Sequence, residues 1–181
     1  MQIINSLHKV IVEETYNTLT VDINSMLNRL QRQFKDILDQ PMSDPICFYD
    51  RLKFPAIHCG TGVYFITYAP NAEYNFSTRN VDLGADAEIM YVGQGNISQR
   101  KAIHLQIFRN NGNPKVFFKN DVITSQVDSV AARKMYQHDP NLRNWRFSYI
   151  LAEKNWSPLL EKYYIDNLKP KFNDEKMSGV A

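Results

Sequence analysis

Gly62-Val63-Tyr64-Phe65-Ile66-Thr67-Tyr68 follows a Gly-Thr-Gly turn and is an unbroken run of β-branched and aromatic residues. Short, apolar and bounded by glycine, it predicts a strand, and Glu88-Ile89-Met90-Tyr91-Val92 predicts a second. If the two pair, Tyr64 and Tyr91 share one face with their hydroxyls close together. Gly93-Gln94-Gly95-Asn96 then reads as a turn, and Ser98 as the cap of a helix over Gln99 to Arg109 that turns Ile103, Ile107 and Phe108 inward. Arg100 and His104 are four apart, so they stack on one face near the helix N-terminus, where exposed amides already favour an anion. Tyrosine hydroxyls, an arginine, a histidine and a helix N-terminus converging on one spot have the chemistry of a phosphate site. Charge-assisted hydrogen bonds there would position and neutralise a diester.

That cluster lacks a carboxylate for a hard metal ion, and Glu161 supplies a candidate. It lies on Ser157 to Leu168 (SPLLEKYYIDNL), where a serine cap, Pro158 in the first turn and apolar residues at 159, 160, 164, 165 and 168 predict a helix. Its position places Glu161 at the edge of the buried stripe, and Lys169-Pro170 ends the helix. Asp22 to Asp39 (DINSMLNRLQRQFKDILD) predicts another helix, capped by Asp22, with Ile23, Met26, Leu27, Leu30, Phe34, Ile37 and Leu38 forming an apolar stripe. The stripe needs a partner, either the rest of the chain or a second subunit. Met1 to Val21 reads as a strand and loop, and Pro41, Pro45 and Pro55 as an extended connection. The tail after Asn173 (DEKMSGVA) reads as frayed.

With 181 residues the chain fits one domain with an appended arm, and 44% apolar with 22% charged residues is an ordinary globular composition. No run approaches the roughly 18 apolar residues of a membrane helix, and MQIINSLHKV lacks the apolar core of a signal peptide, which points to the cytoplasm and away from a membrane. Cys47 and Cys59 form no CxxC and have no histidines at zinc-finger spacing, so both read as free thiols. Net charge is only +2, but its distribution is uneven. From Arg100 to Arg146 nine basic residues face three acidic ones, a balance of +6 that leaves −4 on the rest of the chain. Lys101, Arg109, Lys115, Lys119, Arg133 and Lys134 lie in this block among Asn110, Asn111, Asn113, Phe117 and Phe118. Such a basic surface suits DNA.

The set Gly62-Val63-Tyr64, Tyr91-Val92-Gly93, Arg100, His104, Glu161 and Lys169-Pro170-Lys171-Phe172-Asn173 resembles the layout of GIY-YIG nucleases, in order and in secondary-structure context. Taken singly, tyrosine pairs pack in cores, and arginine or glutamate on a helix is usually solvated. It is the ordered set that carries the likeness. Arg143 to Leu151 (RNWRFSYIL) matches the third strand of that family, and the resemblance covers roughly 60–173. It implies an α/β (α+β) fold, a small mixed or antiparallel sheet flanked by helices, in a nuclease domain over 57–181 preceded by a helical extension over 1–56. Two departures are the 27-residue step from Tyr64 to Tyr91, implying an insertion at about 70–87, and the long stretch 110–144. Insertions of this kind make the type II restriction endonucleases of the family the nearest subgroup.

On the matching positions the resemblance implies that Tyr64 orients or activates water with help from Tyr91. It further implies that Arg100 stabilises the phosphorane, His104 touches the phosphate or the tyrosine network, and Asn173 supports the site. Glu161 would hold one divalent cation, magnesium or alternatively manganese. The expected activity is hydrolysis of duplex DNA by a homodimeric restriction enzyme. Alternatives are a repair or mobile-element nuclease and, in another class, a DNA-binding module without hydrolysis. A free tyrosine titrates near 10, so Tyr64 would need a nearby cation to serve as a base at neutral pH.

Overall fold

The computed structural model describes residues 2–48, 60–75, 80–119 and 122–173. The chain divides into two units, residues 1–40 and 41–181. The first is a single helix, α1 (Gln2–Leu38). Where the sequence predicts a strand and loop over Met1 to Val21, the chain is helix from Gln2 onward, and Asp22 lies inside it rather than at a cap. Leu19, Ile23, Met26, Leu27 and Leu30 are all exposed along it. The division falls well before the expected boundary at 56 because the residues after Pro41 already join the second unit. There β1 (Ile46–Cys47) pairs with a late strand, and the Phe48 side chain is fully buried. Cys59 and Pro55 fall outside the described residues, as does the tail after Asn173; Cys47 is a free, partly buried thiol.

The second unit is built on a four-stranded antiparallel sheet in the order β1-β8-β2-β5. Its central pair is β2 (Thr61–Tyr68) and β8 (Trp145–Leu151), and β5 (Glu88–Asn96) forms one edge. The short apolar runs of the sequence are these strands, which makes the expected α+β architecture, a small antiparallel sheet flanked by helices, the observed one. β5 continues through Gly93 to Asn96, where the sequence predicts a turn. The following helix, α2 (Ile97–Arg109), is capped by Asn96, whose side-chain oxygen accepts from the Gln99 amide and the Ser98 hydroxyl. Asparagine at this position satisfies an otherwise orphaned amide, which is why Ser98 sits inside the helix.

The stretches 70–87 and 110–144 both contain secondary structure. The first holds a hairpin of β3 (Glu73–Asn75) and β4 (Asn80–Asp82). The second holds a hairpin of β6 (Lys115–Lys119) and β7 (Val122–Val127), followed by α3 (Val130–His138), which packs against α2. A short 3-10 turn, Leu142–Asn144, leads into β8. The last helix, α4 (Ser157–Leu168), ends at Lys169 in the left-handed region, just before Pro170. Pro158 stands in its first turn as expected, but Ser157 is helical and donates to the Glu153 carbonyl instead of capping.

The sheet has two differently covered faces. Tyr64, Ile66, Tyr91, Phe147 and Trp145 pack with Phe108 of α2 and Met135 of α3 in the main core. On the other face Phe65 meets Tyr164 of α4 edge-on at 4.9 Å, and Leu160 is fully buried.

One polar knot ties α3 to the sheet. The Asp139 carboxylate accepts from the Asn144 amide at 2.6 Å, the Asn141 backbone at 2.7 Å and the Tyr68 hydroxyl at 3.1 Å, while its carbonyl takes the Trp145 indole N–H at 2.9 Å. Partial burial works to raise the Asp139 pKa, but the three donors outweigh it and hold the carboxyl below its usual 3.8. Asp139→Ala should therefore destabilise the protein by about 1–2 kcal/mol near neutral pH. A depressed folded pKa contributes stability above the unfolded value and loses it as pH falls through the folded one. The Tm difference between wild type and variant should thus close below about pH 4 in thermal melts.

Candidate active site

Antiparallel pairing of β2 with β5 sets Tyr64 opposite Gly93 and Ile66 opposite Tyr91. Tyr64 and Tyr91 are consequently diagonal neighbours on one face, their ring centroids 6.0 Å apart. Gly93 makes this possible. A Cβ there would lie 2.5 Å from the Tyr64 hydroxyl and 2.7 Å from the Tyr91 ring, so the glycine is the space the two rings occupy. Gly95, at φ +130°, lets the chain turn into α2, and the Arg100 guanidinium stem lies over it: a Cβ would be 3.0 Å from Nε.

From α2 the expected i, i+4 pair projects toward the tyrosines. Arg100 is in the first turn and exposed; His104, one turn on, is only 2% exposed. Its Nε2 lies 3.1 Å from the Tyr64 hydroxyl, and the ring stands 5.6 Å from Tyr64 and 6.0 Å from Tyr91, centroid to centroid. Behind them Phe147 stacks on Tyr64 at 5.2 Å and 15°. The other imidazole nitrogen, Nδ1, lies 3.2 Å from the Ser129 hydroxyl. Ser129 caps α3 and accepts from the Ala132 amide at 3.2 Å.

These groups open on a cavity of about 380 Å³ lined by Tyr64, Tyr91, Arg100 and His104 on one side and by Asp128, Ser129 and Lys134 on the other. That volume falls within the range of small ligand sites. Burial above all holds the Tyr64 hydroxyl well above the ordinary tyrosine pKa, and Tyr91 and Glu161 push the same way while Arg100 opposes them. Tyr64 is therefore a neutral phenol, whose proton needs an acceptor before its oxygen can take another.

Glu161 is half-buried on α4, near enough for its charge to act on Tyr64, though it is not among the described residues lining the cavity. Among the described residues no group of three or more His, Cys, Asp or Glu side chains is placed to hold a metal ion. Asn173 is buried away from the cavity lining; its amide accepts from the Val92 N–H at 2.8 Å and donates to the Val92 carbonyl at 2.7 Å. It braces β5 through the backbone next to Tyr91.

Of the cationic set, Lys101 is only 6% exposed, because its position on α2 faces inward, which takes it off the surface that DNA could touch. Arg109 and Lys115 are exposed and border a second, shallower depression. Arg133 pairs with Asp128 at 3.4 Å, and Lys134 lines the main cavity. Lys119 ends β6. Two further residues shape the site: Gly93, which the motif Tyr91-Val92-Gly93 names but whose place in the site it does not give, and Ser129, which no motif singles out. Gly93 has the look of a turn residue, although its place two residues after Tyr91 in an alternating strand puts it on the tyrosine face. Ser129 precedes the amphipathic run Val130–His138, a helix-start signal hidden inside an apparent loop.

No family model matches the chain, and neither a curated protein nor a solved structure does. Among the described residues, no helix is long and apolar enough to cross a membrane.

Proposed function

We propose that this protein is a metal-dependent endonuclease that hydrolyses phosphodiester bonds in double-stranded DNA, and that it acts as a sequence-specific restriction enzyme. The observation that carries the reading is the convergence of Tyr64, Tyr91, Arg100 and His104 on one cavity from two strands and a helix start. This is the set that the order of motifs in the sequence selects. In this reading Arg100 holds the scissile phosphate and stabilises the charge that develops on it, and the tyrosines orient the attacking water. Lys134 and the α2 N-terminus add positive potential at the same place.

Magnesium fits the residues present, with manganese the alternative. Magnesium binds hard oxygen, keeps several waters and needs as few as one protein carboxylate, so the half-buried Glu161, whose charge reaches Tyr64, is a sufficient holder. When bound, the cation would neutralise phosphate charge and the departing oxygen.

Cutting both strands of a symmetric site calls for two copies of the active site, hence a homodimer. In support, Leu19, Ile23, Met26 and Leu30 are exposed on α1 at alternating steps of four and three, the seven-residue pattern that seams paired helices.

Digestion of a plasmid followed by sequencing of the ends tests the reading. A few discrete fragments sharing a palindrome are expected; a smear with no shared sequence would overturn restriction in favour of a repair or mobile-element nuclease. Intact plasmid that is nonetheless bound would leave a DNA-binding module. Alanine at Lys115, Lys119, Arg133 and Lys134 should weaken binding to all sequences alike. The slope of log affinity against log salt should become shallower by about 0.9 for each phosphate that the variant no longer neutralises.

A further inference from the structure

The Ser129 hydroxyl has two calls on its oxygen. It accepts the Ala132 amide as the cap of α3, and it faces His104 Nδ1 at 3.2 Å. The opposite edge of the same imidazole faces the Tyr64 hydroxyl at 3.1 Å. Three elements that are far apart in sequence, β2, α2 and the start of α3, are thereby joined in one hydrogen-bonded line that ends at the cavity. A cap requires only the serine oxygen and a backbone amide. The ring nitrogen is an additional partner, and His104 is nearly sealed from the solvent that would otherwise satisfy it.

We propose that Ser129 is a positioning residue of the active site, whose oxygen accepts a hydrogen bond from His104 Nδ1–H and so fixes the tautomer in which Nε2 takes the Tyr64 proton. This rests on the nuclease reading for its catalytic consequence. Two considerations select this direction of the hydrogen bonds. A buried neutral phenol has a proton to give, and the unprotonated Nε2 is placed to accept it. When His104 becomes imidazolium both of its nitrogens donate, so a Ser129 oxygen that already accepts from Nδ1 serves both states without rearrangement. The opposite tautomer would require the serine hydroxyl to turn during the step.

The proton balance is simple. As the oxygen of a water attacks phosphorus, the proton from its broken O–H bond passes to the Tyr64 oxygen, and the original Tyr64 proton passes to His104 Nε2. The P–O bond to the departing strand end breaks with its electron pair on that oxygen, which is protonated by solvent water. The imidazolium returns its proton to solvent before the next turnover. Among the described residues, the groups facing His104 include Tyr64 from β2, Tyr91 from β5, Phe48 and Ser129, with Arg100, Asp128 and Lys134 also lining the cavity.

The test uses the full chain with Ser129→Ala and Ser129→Thr. Long-range nitrogen-proton NMR on the free protein reads the His104 tautomer, and steady-state cleavage of duplex DNA reads kcat and KM separately. Wild type and Ser129→Thr should show Nδ1–H. Ser129→Ala should lose that preference and lower kcat by about ten- to hundredfold with KM unchanged, while threonine restores it. A thermal melt measures the loss of the cap, which by itself would move neither the tautomer nor the split between kcat and KM. An alanine variant with wild-type tautomer and kcat would reduce Ser129 to a cap and overturn the proposal. So would the Nε2–H tautomer in the wild type. Absence of cleavage by the wild-type protein would instead count against the nuclease reading, and the tautomer comparison would still decide whether Ser129 positions His104.

Discussion

Glu161→Ala is expected to abolish magnesium-dependent cleavage of duplex DNA while leaving the fold and DNA binding largely intact. The side chain is half-buried on α4, whose packing rests on Leu160 and Tyr164, so its removal leaves the helix anchored. What disappears is the carboxylate whose charge reaches Tyr64, and with it the holder proposed for the cation. Plasmid linearisation in magnesium, paired with DNA binding measured by fluorescence anisotropy, separates the two effects. Cutting at the wild-type level by this variant would remove Glu161 from the mechanism.

Arg100→Ala should act on the transition state. A preorganised donor aimed at developing charge contributes about 3–4 kcal/mol, so hydrolysis should slow by about 10²- to 10³-fold or more, with a much smaller loss of DNA affinity. Arg100→Lys should recover only part of the rate, because a single ammonium does not reproduce the planar fork that spans two phosphate oxygens. Single-turnover cleavage at saturating enzyme, set against equilibrium binding, measures both quantities. Equal losses in rate and affinity would make Arg100 a phosphate anchor only.

The parts of this chain that are legible in its sequence are those in which one local pattern dominates. The strands around Tyr64 and Tyr91 are dense in β-branched and aromatic residues, and α4 carries a proline at its start and another after its end. The spacing of Arg100 and His104 transfers directly, since any helix sets residues four apart on one face. The first half of α1 reads otherwise than it folds because Val10, Ile11, Val12, Thr15, Thr18, Thr20 and Val21 are strand-favouring types, yet propensity is a weak prior and the segment is helical throughout. The stretch from Asn110 to Asn144 opens with Asn-Asn-Gly-Asn-Pro, a strong turn signal that masks the hairpin and helix beyond it. Partners that arrive from a distance leave no local trace. Nothing near Ser129 announces His104, and nothing near Asn173 announces Val92. Lys101 shows the converse, a charged residue whose type suggests solvent and whose helical position turns it inward.

The hydrogen bonds from Phe172 and Asn173 to β5 have a consequence for how copies of this protein can meet. β5 is an outer strand of the sheet, and such a strand offers a row of free amides and carbonyls to any passing chain. Here Phe172 donates to the Met90 carbonyl, and Asn173 takes both polar groups of Val92, so the middle of that row is already occupied. The opposite edge is β1, only two residues long. Among the described residues, Phe172 and Asn173 thus shorten the open ladder on β5, and a chain cut before Phe172 would expose there the template for aggregation that the intact one conceals.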